Sequence, residues 1–326
     1  MREVLYRDAV FEALDEEMAR DENVLLLGED VAFIGGNFKA TVGLYDKYGE
    51  MRVRDTPISE AGFVGMGVGM ALTGLRPVVE LMFSDFLLVA ADQVINQMAK
   101  IRYMSGGQAT VPMVIRAPIG GGRSSAAQHS QSMQAMVSQF PGMKVVVPST
   151  AQEVKGLLKA AIRDDNPVIF FEHKMEYSNK YEIDDSVELI PIGKADIKRA
   201  GEDVTIVATS SQVMKSLKAA EILSGEGIAC EVIDLRSIIP LDRETIIRSV
   251  KKTGRLLIVD EAHEFCGIGA EIGANLMEDI FYDLDAPIAR LATPNVPLPF
   301  SPALEFPIIP SVEKIADKAR ILAAGA

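Results

Sequence analysis

Apolar runs of strand length, continuous rather than alternating, constrain this chain most. Residues 24–27, ended by Gly28, form one such run, and residues 78–82, 113–117, 145–147 and 168–171 form others. A strand that is apolar at every position is covered on both faces, as in parallel sheets layered with helices. Helical spacing fills the gaps. Val10, Phe11, Leu14 and Met18 predict an amphipathic helix over 5–20. Leu87, Ala91, Val94, Ile95, Met98 and Ile101 predict a second from residue 86 to about 103, stopped by Gly106-Gly107. A third is predicted over 150–163, capped by Ser149 or Thr150. Strands interleaved with helices imply a parallel α/β sheet.

Residues 175–200 are polar, with Tyr177-Ser178-Asn179-Lys180 and Asp184-Asp185-Ser186, and read as a connection between domains. A second α/β unit follows. Its strands are predicted at 204–208, 230–235, 256–259 and 288–291, and its helices at 213–223, 243–250 and 270–281. Pro294, Pro297, Pro299, Pro302, Pro307 and Pro310 are expected to prevent regular structure until a short helix after Ser311. The expectation is two parallel-sheet α/β domains, residues 1–190 and 191–326. A chain of 326 residues is long enough for two cores.

Composition excludes several functions. The net charge of -13 opposes nucleic-acid binding, which needs clustered Lys and Arg. Cys230 and Cys266 are too few and too far apart for a disulfide framework or a zinc ribbon. The sequence opens without a signal-peptide pattern, and the uncharged stretch from Ala61 to Leu75 is too short and glycine-rich to span a bilayer; a cytoplasmic location is expected.

Chemistry concentrates in a few places. Ser59 is placed to cap a helix that carries Glu60 in its first turn. From these residues alone the acid is explained by the helix dipole. Ala61, Gly65 and Gly69 then share one nearly bare helical face, suited to intrachain packing or to close approach of another helix or a ligand. The glycines around Gly267 and Gly269 miss the dinucleotide spacing by one residue, and no P-loop exists. Of three histidines, His173 follows a strand, His263 is expected in a loop, and His129 ends a glycine loop, Gly120-Gly121-Gly122-Arg123-Ser124. A loop imidazole can move protons near neutral pH, or can simply be exposed.

Several ordered motifs then coincide. Asp55-Thr56-Pro57-Ile58-Ser59-Glu60, Gly74-Leu75-Arg76-Pro77, Asp92-Gln93-Val94-Ile95-Asn96-Gln97, Tyr103-Met104-Ser105-Gly106-Gly107, Ala127-Gln128-His129-Ser130-Gln131, Pro141-Gly142-Met143-Lys144 and Arg163-Asp164-Asp165-Asn166-Pro167 follow in order from residue 55 to residue 167. Together they resemble the beta subunit of the thiamin-diphosphate-dependent first component of 2-oxo acid dehydrogenase complexes. Residues 80–86 and 170–174 are most similar to acetoin dehydrogenase beta chains. The resemblance implies a pyrimidine-binding domain followed by a transketolase-type C-terminal domain.

The resemblance also implies roles. Glu60 would hydrogen-bond the aminopyrimidine ring of thiamin diphosphate, with Phe86 and Met82 packing beside the ring. His129 would face the substrate and assist transfer to the lipoyl group. Met113, Ala161, Ile162, Asp164 and Asn166 would hold a structural potassium ion, largely through backbone carbonyls. The family's Gly-Asp-Gly motif for diphosphate and Mg2+ is absent, so that half-site is expected on an alpha subunit, in an assembly of two alpha and two beta chains served by a dihydrolipoyl acyltransferase core. The expected substrates are acetoin, then pyruvate, then branched-chain 2-oxo acids. Rival readings are a self-sufficient transketolase-like synthase, a nicotinamide dehydrogenase, and a binding subunit without cofactor.

Overall fold

The computed structural model describes residues 1–325 and divides into two units, each built around its own sheet. The first comprises Met1–Ile119 and Met136–Ile192, the second Gly120–Ala135 and Gly193–Ala326. The chain therefore changes unit at residue 192, and the glycine loop with His129 belongs to the second unit although it lies inside the first in sequence.

In the first unit, β1 (Arg2–Leu5) leads into α1 (Tyr6–Arg20), then β2 (Val24–Gly28), α2 (Leu44–Tyr48), β3 (Val53–Asp55), α3 (Glu60–Leu72), β4 (Arg76–Glu80) and α4 (Ile101–Met104). β5 (Val114–Ile119) follows, and α5 (Gln134–Ser138), β6 (Lys144–Val146), α6 (Ala151–Arg163), β7 (Val168–His173) and β8 (Lys180–Ile183) complete it. The apolar runs become parallel strands in the order β6-β7-β5-β4-β2-β3. Every residue of β2, β5 and β7 is buried or nearly so, as continuous apolar patterning requires. Thr150, rather than Ser149, caps α6 by accepting from the Glu153 N–H.

Three expectations are corrected here. The single helix expected over 86–103 is broken into a 3₁₀ turn (Ser84–Leu88), a π-helix (Gln93–Met98) and α4. At the start of the π-helix, Gln93 packs on α3, its Oε1 2.9 Å from where a Cβ on Gly65 would stand. Second, Ser59 occupies the N-cap of α3 without a side-chain cap bond; its hydroxyl instead lies against Gly62, 2.9 Å from an added Cβ. Third, the polar connection contains β8, which pairs antiparallel with β1. In the second unit, β9 (Asp196–Arg199) also falls in that stretch.

The second unit continues with β10 (Val204–Ala208), α7 (Ser211–Ser224), β11 (Cys230–Asp234), β12 (Ser237–Ile239), α8 (Arg243–Thr253), β13 (Leu256–His263), α9 (Ile268–Ile280), β14 (Ala289–Thr293), α10 (Pro302–Glu305) and α11 (Val312–Ala323). Its sheet runs β14-β13-β10-β11-β9, parallel except for antiparallel β9, so it is mixed rather than purely parallel. β13 outruns its apolar core by four residues, which makes His263 the end of a strand and not a loop residue. The proline tail also holds one helical turn, α10, with Pro302 in its first turn where the missing N–H costs nothing. Among the described residues no helix is long and apolar enough to cross a membrane.

Candidate functional site

The chain leaves β2 for β3 on one side and returns to β4 on the other. Such a reversal opens a crevice at the carboxyl ends of the strands, where α/β folds bind ligands. The segments that leave these three strands carry Glu29, Glu60, and Met82 with Phe86. Three of the four residues assigned to cofactor and catalysis are therefore gathered at one sheet edge.

Glu60 is the first residue of α3 and is 6% exposed. Glu29, directly after β2, is 4% exposed. Burial and the neighbouring Glu60 carboxylate, with a lesser push from Asp30, raise the Glu29 pKa above its ordinary value. Glu29 Oε1 is buried and has no hydrogen-bond partner. Two buried carboxyl groups thus lie near enough to influence each other, one with an unused acceptor. Sequence reasoning missed Glu29, although an acid following Gly28 at the end of a buried strand marks the place ligands reach.

Phe86 and Met82 are both partly buried. Phe86 meets Phe83 edge to face at 6.0 Å, Phe83 meets Phe38 at 5.9 Å, and Phe38 stacks on Tyr177 at 4.6 Å. This aromatic row leaves β4 and reaches the segment after β7. Beneath it lies a buried ionic cluster. The Arg116 guanidinium donates twice to Glu172, at 2.7 Å each, and once to Glu80 at 2.6 Å, while the Tyr177 hydroxyl also donates to Glu172. Burial pushes the Glu80 pKa up against the pull of Arg116; burial would lower the Arg116 pKa, but the two carboxylates hold it well above its ordinary value. A charged residue inside the run 113–117 was the available signal, since buried charge demands a partner. The cluster also clarifies residues 170–174. Phe170 and Phe171 are fully buried, Glu172 binds Arg116, and Lys174 Nζ lies 5.8 Å from the centre of the Phe83 ring, so this stretch supports the aromatic row.

α3 lies on β4 through Gly67, where a Cβ would come 2.8 Å from Met113 Cε and 2.9 Å from Val79 Cγ2. Of the face expected to be bare, Gly69 meets nothing within 4 Å and Ala61 is exposed. Intrachain packing thus uses Gly67 against β4 and, from the bare face, Gly65 against Gln93.

The residues assigned to potassium gather at the opposite edge of the same sheet, before β5 and β7. Asp164 N donates to Ala161 O at 3.2 Å, and Val168 N to Met113 O at 2.9 Å. Arg76 Nη1 donates to Ile162 O and Asp164 O at 3.1 and 3.2 Å. Asn166 donates to Asp164 Oδ1, whose other oxygen pairs with Lys144. Each of these bonded carbonyls keeps a second lone pair for a hard cation. Among the described residues no group of three His, Cys, Asp or Glu could hold a metal.

His129 belongs to the second unit. It ends a 3₁₀ turn, Ala127–His129, and is partly buried. Ser124 and Ala126 just before it have φ of 52° and 61°, left-handed values that cost non-glycine residues energy.

Comparison with known proteins divides the sequence once, after residue 180, and leaves residues 120–135 with the first half. The sequence matches the transketolase pyrimidine binding domain over residues 2–180 and the transketolase C-terminal domain over residues 193–315. It is 49% identical to the mitochondrial pyruvate dehydrogenase E1 component subunit beta of Dictyostelium discoideum, covering 98% of this chain and 91% of the relative. The chain belongs to the beta subunits of 2-oxo acid dehydrogenase first components. Two Bacillus subtilis members of this family are as similar: the 2-oxoisovalerate dehydrogenase subunit beta, 47% identical over 98% of each chain, and the acetoin:2,6-dichlorophenolindophenol oxidoreductase subunit beta, 49% identical over 96% of this chain and 95% of the relative. A solved split-gene transketolase, an inactive beta4 tetramer, shares the fold with a TM-score of 0.81 at 23% identity over 98% of each chain.

Proposed function

We propose that this beta subunit works with an alpha subunit as a thiamin-diphosphate-dependent first component, cleaving acetoin or decarboxylating a 2-oxo acid and passing the acyl group to protein-bound lipoamide. The observation that carries the reading is the buried pair of Glu29 and Glu60 at the carboxyl edge of β2 and β3, with the unpartnered Glu29 Oε1. An aminopyrimidine offers a ring nitrogen that takes a proton and an amine that donates, which suits two such carboxyls. Bound there, thiamin diphosphate supplies an electron sink for carbon–carbon cleavage. Glu60 holds a proton at the ring nitrogen N1′. Met82 and Phe86 pack beside the ring and keep water from it. His129 donates a proton to the leaving sulfur as the lipoyl disulfide opens, the other sulfur taking the acyl group.

The Gly-Asp-Gly motif for Mg2+ and diphosphate is missing from this chain, which supports a partner alpha subunit in a two-alpha, two-beta assembly. The acyltransferase core is the acceptor in this reading. The carbonyls of Met113, Ala161, Ile162, Asp164 and Asn166 would hold potassium as a clamp on the turn between α6 and β7. Acetoin ranks ahead of pyruvate and branched-chain 2-oxo acids on the similarity of residues 80–86 and 170–174.

Glu60→Gln in the assembled enzyme tests the reading. The volume is kept and the proton-sharing carboxyl is lost, so kcat should fall by several powers of ten, each about 1.4 kcal/mol of barrier. Activity within about tenfold of wild type would refute the role of Glu60. Side-by-side kcat/KM values for the three substrates test the ranking, which a preference for pyruvate or a branched-chain acid overturns.

A further inference from the structure

The proline-rich tail has no role in the function so far, yet it ends in a buried acid that holds the histidine loop. Glu305, the last residue of α10, is fully buried. Its Oε1 accepts from Gly122 N at 2.8 Å, and its Oε2 accepts from Ser124 N at 2.9 Å and lies 3.5 Å from the Ser124 hydroxyl. Glu261 of β13 accepts from Gly121 N at 2.6 Å. A Cβ on Gly121 would stand 2.8 Å from Ile309 Cδ1, 3.3 Å from Glu305 Oε1 and 3.4 Å from Leu298 Cδ1. Three consecutive pieces of tail thus close on one glycine.

We propose that Glu305 is a positioning residue, which fixes the backbone of residues 121–124 and thereby sets where His129 sits. This rests on the role given to His129 above. The backbone itself supplies the reason a clamp is needed. Ser124 and Ala126 sit in left-handed conformations that a free loop would leave, and such residues persist only where their surroundings over-determine them. Charge-assisted bonds from two amides to one carboxylate are strong and directional. They act two residues before the strained stretch, at Gly122, and on its first member, Ser124. Ala127–His129 follows directly, so a shift of the clamp is passed to the imidazole over five residues with no other elements between.

The prediction separates positioning from general support. Glu305→Ala and Glu305→Gln are assayed in the assembled enzyme, once by reductive acylation of a lipoyl domain and once with an artificial electron acceptor. An ångström of misplacement costs about 100-fold, so Glu305→Ala should slow acylation about 10–100-fold and artificial-acceptor turnover by less than about threefold. Glu305→Gln keeps one acceptor and should lose less. Combined with His129→Ala, Glu305→Ala should add almost nothing, because both changes remove the same histidine from its place. Amide exchange at Gly122 and Ser124 should speed up in both Glu305 variants. Equal loss in both assays, or effects that multiply with His129→Ala, would overturn the proposal while leaving His129 its role. If His129→Ala itself spares acylation, the role of His129 fails, and the proposal with it. Glu305→Gln decides the matter should Glu305→Ala not fold.

Discussion

Replacing Arg116 with Met would remove the cation that bonds both Glu80 and Glu172. Arg116 is 1% exposed and makes three charge-assisted bonds of 2.6–2.7 Å. Methionine fills most of the volume but leaves two buried carboxylates uncompensated. Removing one partner of a buried ion pair costs about 3–5 kcal/mol, a large share of a typical stability of about 5–15 kcal/mol. At about 2–4 °C per kcal/mol the melting temperature should fall by roughly 6–20 °C. The loss should depend on pH. Burial already raises the Glu80 pKa, and without the pull of Arg116 it rises further. A group whose folded pKa is raised contributes its stability below the ordinary value of 4.5 and loses it as pH rises through the folded value. Thermal unfolding followed by circular dichroism should therefore show a larger deficit near about pH 8 than near about pH 5. Adding Glu80→Gln and Glu172→Gln should restore most of the loss, since the stranded charges are then gone. A deficit below about 1 kcal/mol, or one that does not change with pH, would show that the cluster is not held by its charge.

Two further outcomes follow from single sites. Burial raises the Asp260 pKa to about 6 from 3.8, and its Oδ2 is buried without a partner; Asp260→Asn should stabilise the protein by up to about 3 kcal/mol well above pH 6 and by nothing below about pH 4, read from urea midpoints across pH. A variant no more stable than wild type at high pH would refute that environment. Gly36 has φ +75° and would place a Cβ 2.5 Å from Glu80 Oε1, so Gly36→Ala should cost about 1–3 kcal/mol in the same assay and displace the loop between β2 and α2; a neutral change would mean that this loop is free to move.

Much of the core was legible because burial writes itself into runs of apolar residues. The strands at residues 24–27, 78–82 and 168–171 needed no partner to be recognised. What escaped depended on distant residues. β1 and β8 are short, polar and paired across most of the first unit's length, with the exposed Glu3 and Lys180 joined by a salt bridge. The π-helix begins where Gln93 meets a glycine on another helix, a contact that helical spacing cannot register. In the site, Glu60, Met82 and Phe86 were found by resemblance, and the sheet then explained why they share an edge. Glu29 and Arg116 carried a local signal in their charge at the end and middle of buried strands. Glu305 carried none, because an acid among prolines reads as solvated tail until the loop it binds is in view.

That loop bears on how the molecule can be taken apart. Gly120–Ala135 is covalently an insertion into the first unit but structurally a piece of the second. A gene fragment beginning at Gly193 would look like a complete domain and would lack the segment whose amides bond Glu305. It would strand that buried acid and remove one donor from Glu261, whose other oxygen Ser211 and Gln212 keep bonded. The two halves are therefore not separable modules, and exchanging C-terminal domains between relatives at the visible boundary should fail unless residues 120–135 travel with them.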